Sequence, residues 1–263
     1  MPIEIEPSAI ISNNVPLDGP RGVEVENYVT GGAFKFYTNT RKPSRVCEIV
    51  VHESVTRTVE DTVRVLSRKA NTSGKPYTLG VHLLIDGDGV VTQHGDLALS
   101  WQQHYGAPHN EASVGVELVN PYEPRHLKKD LPWKRVITDA PWAHGRSYVL
   151  PTPEQVEAFA RVIGWLIASK ELGFEIPNVW HGYDAKKNRF ALSKVSGLDR
   201  VKGGVYSHQQ IGRHADGSWP LLYAFLRTQR GIPACQAYGL AVKMATGARG
   251  YADLSAIGGH VPF

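Results

Sequence analysis

Two runs of consecutive apolar residues and one long amphipathic stretch organise the chain. Val46–His52 is rich in β-branched residues and predicts a buried strand. Ser113–Asn120, closed by Pro121, predicts another of the same kind. From Thr58 onward, Val59, Val63, Leu66 and Ala70 fall at i, i+4, i+7 and i+11, which is one helix face. Thr58 followed three residues later by Asp61 resembles a capping box. Val81–Ile85 and Val90–Gln93 flank Asp86-Gly87-Asp88-Gly89, a hairpin signal. Thr152-Pro153-Glu154-Gln155 opens a helix whose inner face is Val156, Phe159, Ala160, Ile163, Leu166 and Ile167, and Gly173 stops it. Trp219–Gln229 and Pro233–Thr246 predict two terminal helices, and Phe34–Thr38 a short strand.

The remaining segments have no period. Residues 1–30 read as an irregular arm, residues 121–150 as a long loop insertion, residues 182–205 as a second polar insertion, and the last fifteen residues as loose. Strands alternating with helices, plus one hairpin, predict an α/β domain with a central mixed β-sheet flanked by helices. The expected layout is a single domain: an arm over 1–44, a main body over 45–228 carrying both insertions, and a helical extension over 229–263.

Composition narrows this picture. At 263 residues and 42% hydrophobic, the chain can bury a core without disulfide staples. Cys47 and Cys235 are far apart and lack CxxC spacing, which excludes a disulfide framework or a cysteine-rich zinc module. Cys47, inside the first apolar run, is expected to be a buried core thiol. A formal charge of +4 suits an anionic polymer as partner but is too small to argue nucleic acid. No stretch reaches the roughly 20 apolar residues of a membrane span. The acidic start Met1–Glu6 lacks the basic and apolar regions of a signal peptide. The expectation is synthesis as a soluble cytoplasmic protein without a signal peptide.

Four places can carry chemistry. His52 ends the first apolar strand, at a sheet edge where open α/β folds build sites. His208 follows Tyr206-Ser207, and Asp216 lies in His214-Ala215-Asp216-Gly217 eight residues further on. Two imidazoles and a carboxylate suit zinc, with a fourth position left for water. Spacing alone leaves that set open. Glu117 stands in the middle of an apolar strand, where burying a carboxylate is costly unless it is paired or functional. His82, His94, His109, His126, His144 and His260 are expected to be structural or solvated.

Taken in order, Ile49-Val50-Val51-His52, Gly80-Val81-His82-Leu83-Leu84-Ile85 with Asp88-Gly89, Ser113-Val114-Gly115-Val116-Glu117-Leu118, and Ser207-His208 with His214-Ala215-Asp216-Gly217 form a series that resembles the zinc-dependent N-acetylmuramoyl-L-alanine amidases. These share a fold with the peptidoglycan recognition proteins. The resemblance spans residues 45 to 228. It implies one zinc per chain on His52, His208 and Asp216, with Glu117 as the catalytic acid–base. It implies cleavage of the amide between N-acetylmuramic acid and L-alanine by a zinc-activated water, with peptidoglycan or muropeptides as partner. Val81 stands where some members carry a catalytic tyrosine, which favours Glu117. His214 stands where the family usually has a lysine, and is the expected oxyanion partner. His104, after Trp101-Gln102-Gln103, is the counterpart of a family histidine and is expected to line the cleft as a substrate-binding residue. The setting this favours is a phage or prophage lytic enzyme.

Two other readings compete. One is a non-catalytic peptidoglycan-binding module of the recognition-protein type, though all three ligand positions are filled. The other is a two-histidine–one-carboxylate iron oxygenase built on His214, Asp216 and His260, which would call for a β-sandwich rather than these helices.

Overall fold

The computed structural model describes residues 9–29, 39–67, 79–102, 104–106, 108–127, 133–212, 214, 216–255 and 257. Phe34–Thr38, Ala70, the Lys128-Lys129 pair and His260 lie outside them.

A six-stranded sheet holds the centre. Its strands are β1 (Val25–Asn27), β2 (Glu48–Glu53), β3 (Leu83–Ile85), β4 (Val91–Gln93), β5 (Ser113–Leu118) and β8 (Gly204–Ser207), in the order β8-β2-β5-β3-β4-β1. Every neighbouring pair is parallel except the β3–β4 hairpin. That hairpin turns on the predicted Asp-Gly-Asp-Gly: the Asp86 carboxylate accepts from the backbone N–H groups of Asp88 and Val90, each at 2.9 Å. All six residues of β2 and of β5 are buried, as parallel strands covered on both faces must be.

Strand alternation sorts side chains between the two faces. Ile49, Val51, Val114, Val116 and Leu118 point into the main core. There they meet α3 (Pro153–Ala168) and α5 (Ser218–Thr228), with α6 (Ala234–Ala245) packed outside α5. The Thr152 hydroxyl caps α3 by accepting from Gln155 N–H. The opposite face carries Val50, His52, Gly115, Glu117 and Leu84. It is partly covered by α1 (Val59–Ser67), whose Val63 packs on Leu84, and by Ile211 of α4 (His208–Ile211) on Val50. The Thr58 hydroxyl accepts from Asp61 N–H at the start of α1, as the capping signal predicts.

Several segments depart from the sequence expectation. The arm is not irregular: Ala9–Ser12 is fully buried in a hairpin with Val15–Asp18, and β1 extends the sheet. Arg41 inserts a buried guanidinium that donates to the carbonyls of Leu97, Ala98, Glu111 and Ser113. Residues 121–150 contain an antiparallel pair, β6 (Val136–Asp139) and β7 (Ser147–Leu150), pinned by buried Trp142 and Tyr148. Their strands of four residues, one of them largely exposed, are too short to show a period. The second insertion ends in β8, a strand hidden behind Gly203 and Gly204, both at positive φ. In the tail, Tyr251–Asp253 pairs with Arg189–Ala191. Cys47 precedes β2 and is half-buried rather than a core thiol. Ile10, Val25, Ala237 and Ala252 all join the main core, so arm, body and tail share one hydrophobic interior. Among the described residues no helix is long and apolar enough to cross a membrane.

Candidate metal centre

The parallel pairing of β8 with β2 brings His208 beside His52 across 156 residues of sequence. His52 is next to last in β2. His208 is the first residue of α4, which starts in a full capping box: the Ser207 hydroxyl accepts from Gln210 N–H, and the Gln210 carbonyl oxygen accepts from Ser207 N–H. Asp216 reaches the same point on the loop into α5. Gly217 permits that approach. It sits at φ +79°, and a Cβ there would lie 2.4 Å from the Val51 carbonyl oxygen. Only glycine lets the loop lie this close to the strand that carries His52.

Three donor atoms converge. His52 Nδ1 is 3.2 Å from His208 Nδ1, His208 Nδ1 is 3.2 Å from Asp216 Oδ2, and His52 Nδ1 is 3.8 Å from that oxygen. Ligands about 2.0–2.1 Å from a tetrahedral zinc stand roughly 3.3 Å apart, so the spacing fits. Asp216 Oδ1 is buried and has no hydrogen-bond partner among the described residues. A buried, unsatisfied carboxylate oxygen is expensive unless a cation completes it. Burial lowers the His52 pKa to about 4, which keeps the ring neutral as a ligand must be. Burial works to raise the Asp216 pKa, but the neighbouring His208, by its charge and its hydrogen bond at 3.2 Å, outweighs it and holds the group ionised.

The centre forms the floor of a cleft of about 480 Å³. Glu117, directly opposite His52 in the β2–β5 register, shares the same sheet face and lines the cleft. It is 7% exposed, so the carboxylate in the apolar strand is a buried one. His214 is exposed at the rim, its ring 4.8 Å from that of His208. It also lines an adjoining hollow of about 270 Å³ walled by Trp142, His144 and Lys194, residues of the two insertions. Val55 and Val65, 40% and 42% exposed, give the cleft an apolar lip. His104 lines the cleft as expected and, in addition, touches His52: its Nδ1 is 2.9 Å from His52 Nε2. His126 pairs with Glu123 at 3.2 Å.

Sequence reasoning missed Glu53. Its carboxylate accepts from Tyr148 OH (2.6 Å), Asn120 Nδ2 (2.8 Å) and Gly217 N–H (2.8 Å), tying the insertion and the Asp216 loop to β2. Burial pushes its pKa up to about 7 against those three donors. Glu48, at the other end of β2, is a buried partner of His109 Nδ1 (2.8 Å) and of Tyr206 OH. The available signal was two carboxylates bracketing an apolar run.

Fold and site together define a mixed-sheet α/β protein with a two-histidine–one-carboxylate centre that can hold a metal ion. Residues 42–217 match the N-acetylmuramoyl-L-alanine amidase family, and the chain belongs to it. No curated protein matches the chain significantly. Among solved structures it is similar to the endolysin amidase LysCS from Clostridium intestinale, at 11% identity and a TM-score of 0.44, covering 80% of this chain and 99% of that one. It is similar to the hydrolase AmiA of Staphylococcus aureus at 16% identity and a TM-score of 0.40, covering 82% and 72%. It is also similar to Drosophila PGRP-LB at 12% identity and a TM-score of 0.45, covering 77% and 93%.

Proposed function

We propose that the protein is a zinc-dependent peptidoglycan hydrolase that cuts the amide between the lactyl group of N-acetylmuramic acid and L-alanine. The observation that carries this reading is the convergence of His52, His208 and Asp216, with Asp216 Oδ1 unpartnered among the described residues, beneath a cleft that Glu117 also lines. Among the described residues, the two histidines gathered around Asp216 Oδ2 are His52 and His208.

His52, His208 and Asp216 would hold a zinc ion, which would supply Lewis acidity toward the scissile carbonyl and the attacking water. Glu117 takes the proton from the attacking water and returns it to the departing L-alanine amine as the C–N bond breaks. His214, at the rim, donates an N–H toward the carbonyl oxygen as negative charge develops there. The apolar lip of Val55 and Val65 seats the methyl-bearing part of the substrate, and the hollow beyond His214 receives its continuation. The formal charge of +4 favours an anionic wall polymer over a neutral substrate. Within this reading the protein is a phage or prophage lytic enzyme that acts on intact wall.

The test is mass spectrometry of peptidoglycan digested with the zinc-loaded protein. Released stem peptides should carry a free N-terminal L-alanine. Glu117→Gln should keep zinc and lose about 10²–10⁴-fold in rate, since the amide holds the shape but accepts no proton. His214→Ala should keep zinc and lose about 10²–10³-fold. Zinc and peptidoglycan binding without any hydrolysis would instead make the chain a recognition module. Activity on soluble muropeptides with none on intact wall would overturn the lytic assignment.

A further inference from the structure

A chain of hydrogen bonds behind His52 fixes which of its nitrogens faces the centre. It starts at Ser113, the residue that ends α2 (His109–Ala112). The Ser113 hydroxyl lies 2.6 Å from the His109 carbonyl oxygen. Only the hydroxyl has a proton to share, so Ser113 donates there. Its oxygen is also 3.0 Å from His104 Nε2. With its proton committed, Ser113 can only accept, so His104 carries its hydrogen on Nε2. Among the described residues the His104 ring meets the imidazoles of His52 and His82 and the Ser113 hydroxyl and no carboxylate, which is a setting for the neutral ring. Its Nδ1 is therefore a lone pair, and it accepts from His52 Nε2 at 2.9 Å. A neutral His52 protonated on Nε2 has its Nδ1 lone pair free, and that atom is the one 3.2 Å from His208 Nδ1.

The surroundings hold this chain in place. The Asn110 side-chain oxygen accepts from three successive backbone N–H groups, those of His104, Tyr105 and Gly106, at 2.9–3.2 Å. Gly115 leaves room for the ring, since a Cβ there would come within 3.1 Å of His104 Cδ2. His109, whose carbonyl ends the relay, is anchored by the buried Glu48.

We infer that His104 is a positioning residue: with Ser113 it locks His52 as the Nε2–H tautomer and so aims the Nδ1 lone pair at the point shared with His208 and Asp216. This rests on the reading of that point as a metal site, because a ligating imidazole is oriented and made more basic by the bond its other nitrogen donates. It also gives His104 a task beyond contact with substrate.

Zinc dissociation constants, from competition with a chromophoric chelator, test this without any substrate. His104→Ala should bind zinc about 10–100-fold more weakly. His104→Asn should recover most of that loss, because its amide oxygen stands near the lost Nδ1 and accepts the same bond. Ser113→Ala should lose less than His104→Ala, as it frees the His104 tautomer without removing the ring. Imidazole nitrogen NMR of the metal-free wild type should show both His52 and His104 protonated on Nε2. A zinc constant within twofold of wild type in folded His104→Ala would overturn the inference, as would a proton on His104 Nδ1. If His104→Ala does not fold, Ser113→Ala and the NMR spectrum decide. If wild type takes up no zinc at all, the proposed function fails, while the tautomers still stand or fall by NMR.

Discussion

Glu157 offers a quantitative test of how the helical layer supports the site. Its carboxylate, on α3, is 17% exposed and takes four donors. Arg227 on α5 donates from Nε (2.7 Å) and Nη2 (2.8 Å), Tyr223 OH from 2.8 Å, and Arg161 Nε from 3.1 Å. Burial works to raise the pKa, but the hydrogen bonds from Arg227, Tyr223 and Arg161 outweigh it and bring the group from 4.5 down to about 2. A fall of that size corresponds to about 3 kcal/mol of preference for the ionised form in the folded state. Screening at a partly open site trims this to about 2 kcal/mol. Because the folded value is depressed, the stabilisation is complete above 4.5 and is lost as pH falls from there through 2. Glu157→Gln should therefore be about 2 kcal/mol less stable at pH 7, with a gap that narrows steadily below pH 4.5. Urea denaturation of both proteins at pH 7, 5, 4 and 3 measures this, with unchanged slopes showing that the unfolded state is the same. A destabilisation of equal size at pH 7 and pH 3 would refute the electrostatic origin. The pairing also bears on the site, since α5 begins at Ser218, two residues beyond Asp216.

Gly217→Ala should weaken zinc binding more than it lowers stability. The new Cβ meets the Val51 carbonyl at 2.4 Å with φ at +79°, so the loop carrying Asp216 has to withdraw. Zinc titration followed by metal analysis reads this, with His208→Ala as the reference for loss of stoichiometric metal. Full zinc occupancy in Gly217→Ala with an unchanged dissociation constant would show that the close approach does not place Asp216.

The parts of the fold legible in the sequence are those whose local pattern and final burial agree. Val46–His52 and Ser113–Asn120 read as buried strands because both faces of β2 and β5 are covered, leaving no polar alternation to confuse the pattern. The α3 stripe was legible because a helix of 16 residues repeats its apolar face often enough to show a period. The β6–β7 pair was not, because its order comes from tertiary bonds: Trp142 Nε1 donates to Ala245 O and Tyr148 OH to Glu53. The arm was hidden for the same reason, its buried cation Arg41 being satisfied by carbonyls from residues 97 to 113.

The site divides along a similar line. Spacing left the ligand set open, since nothing local ties position 52 to position 208. Their order in the amidase-like series named them, and the parallel register of β8 against β2 supplies the physical reason they meet. His104 shows where such naming stops. A counterpart in the family series places a residue near a cleft but says nothing about where its two nitrogens point. That depends on Ser113, nine residues away, and on a carbonyl with no proton to give. The protonation pattern of the centre is thus set by the Ser113 hydroxyl, which the motif series contains but gives no task, and it becomes visible only when each hydrogen in the chain is assigned to a donor.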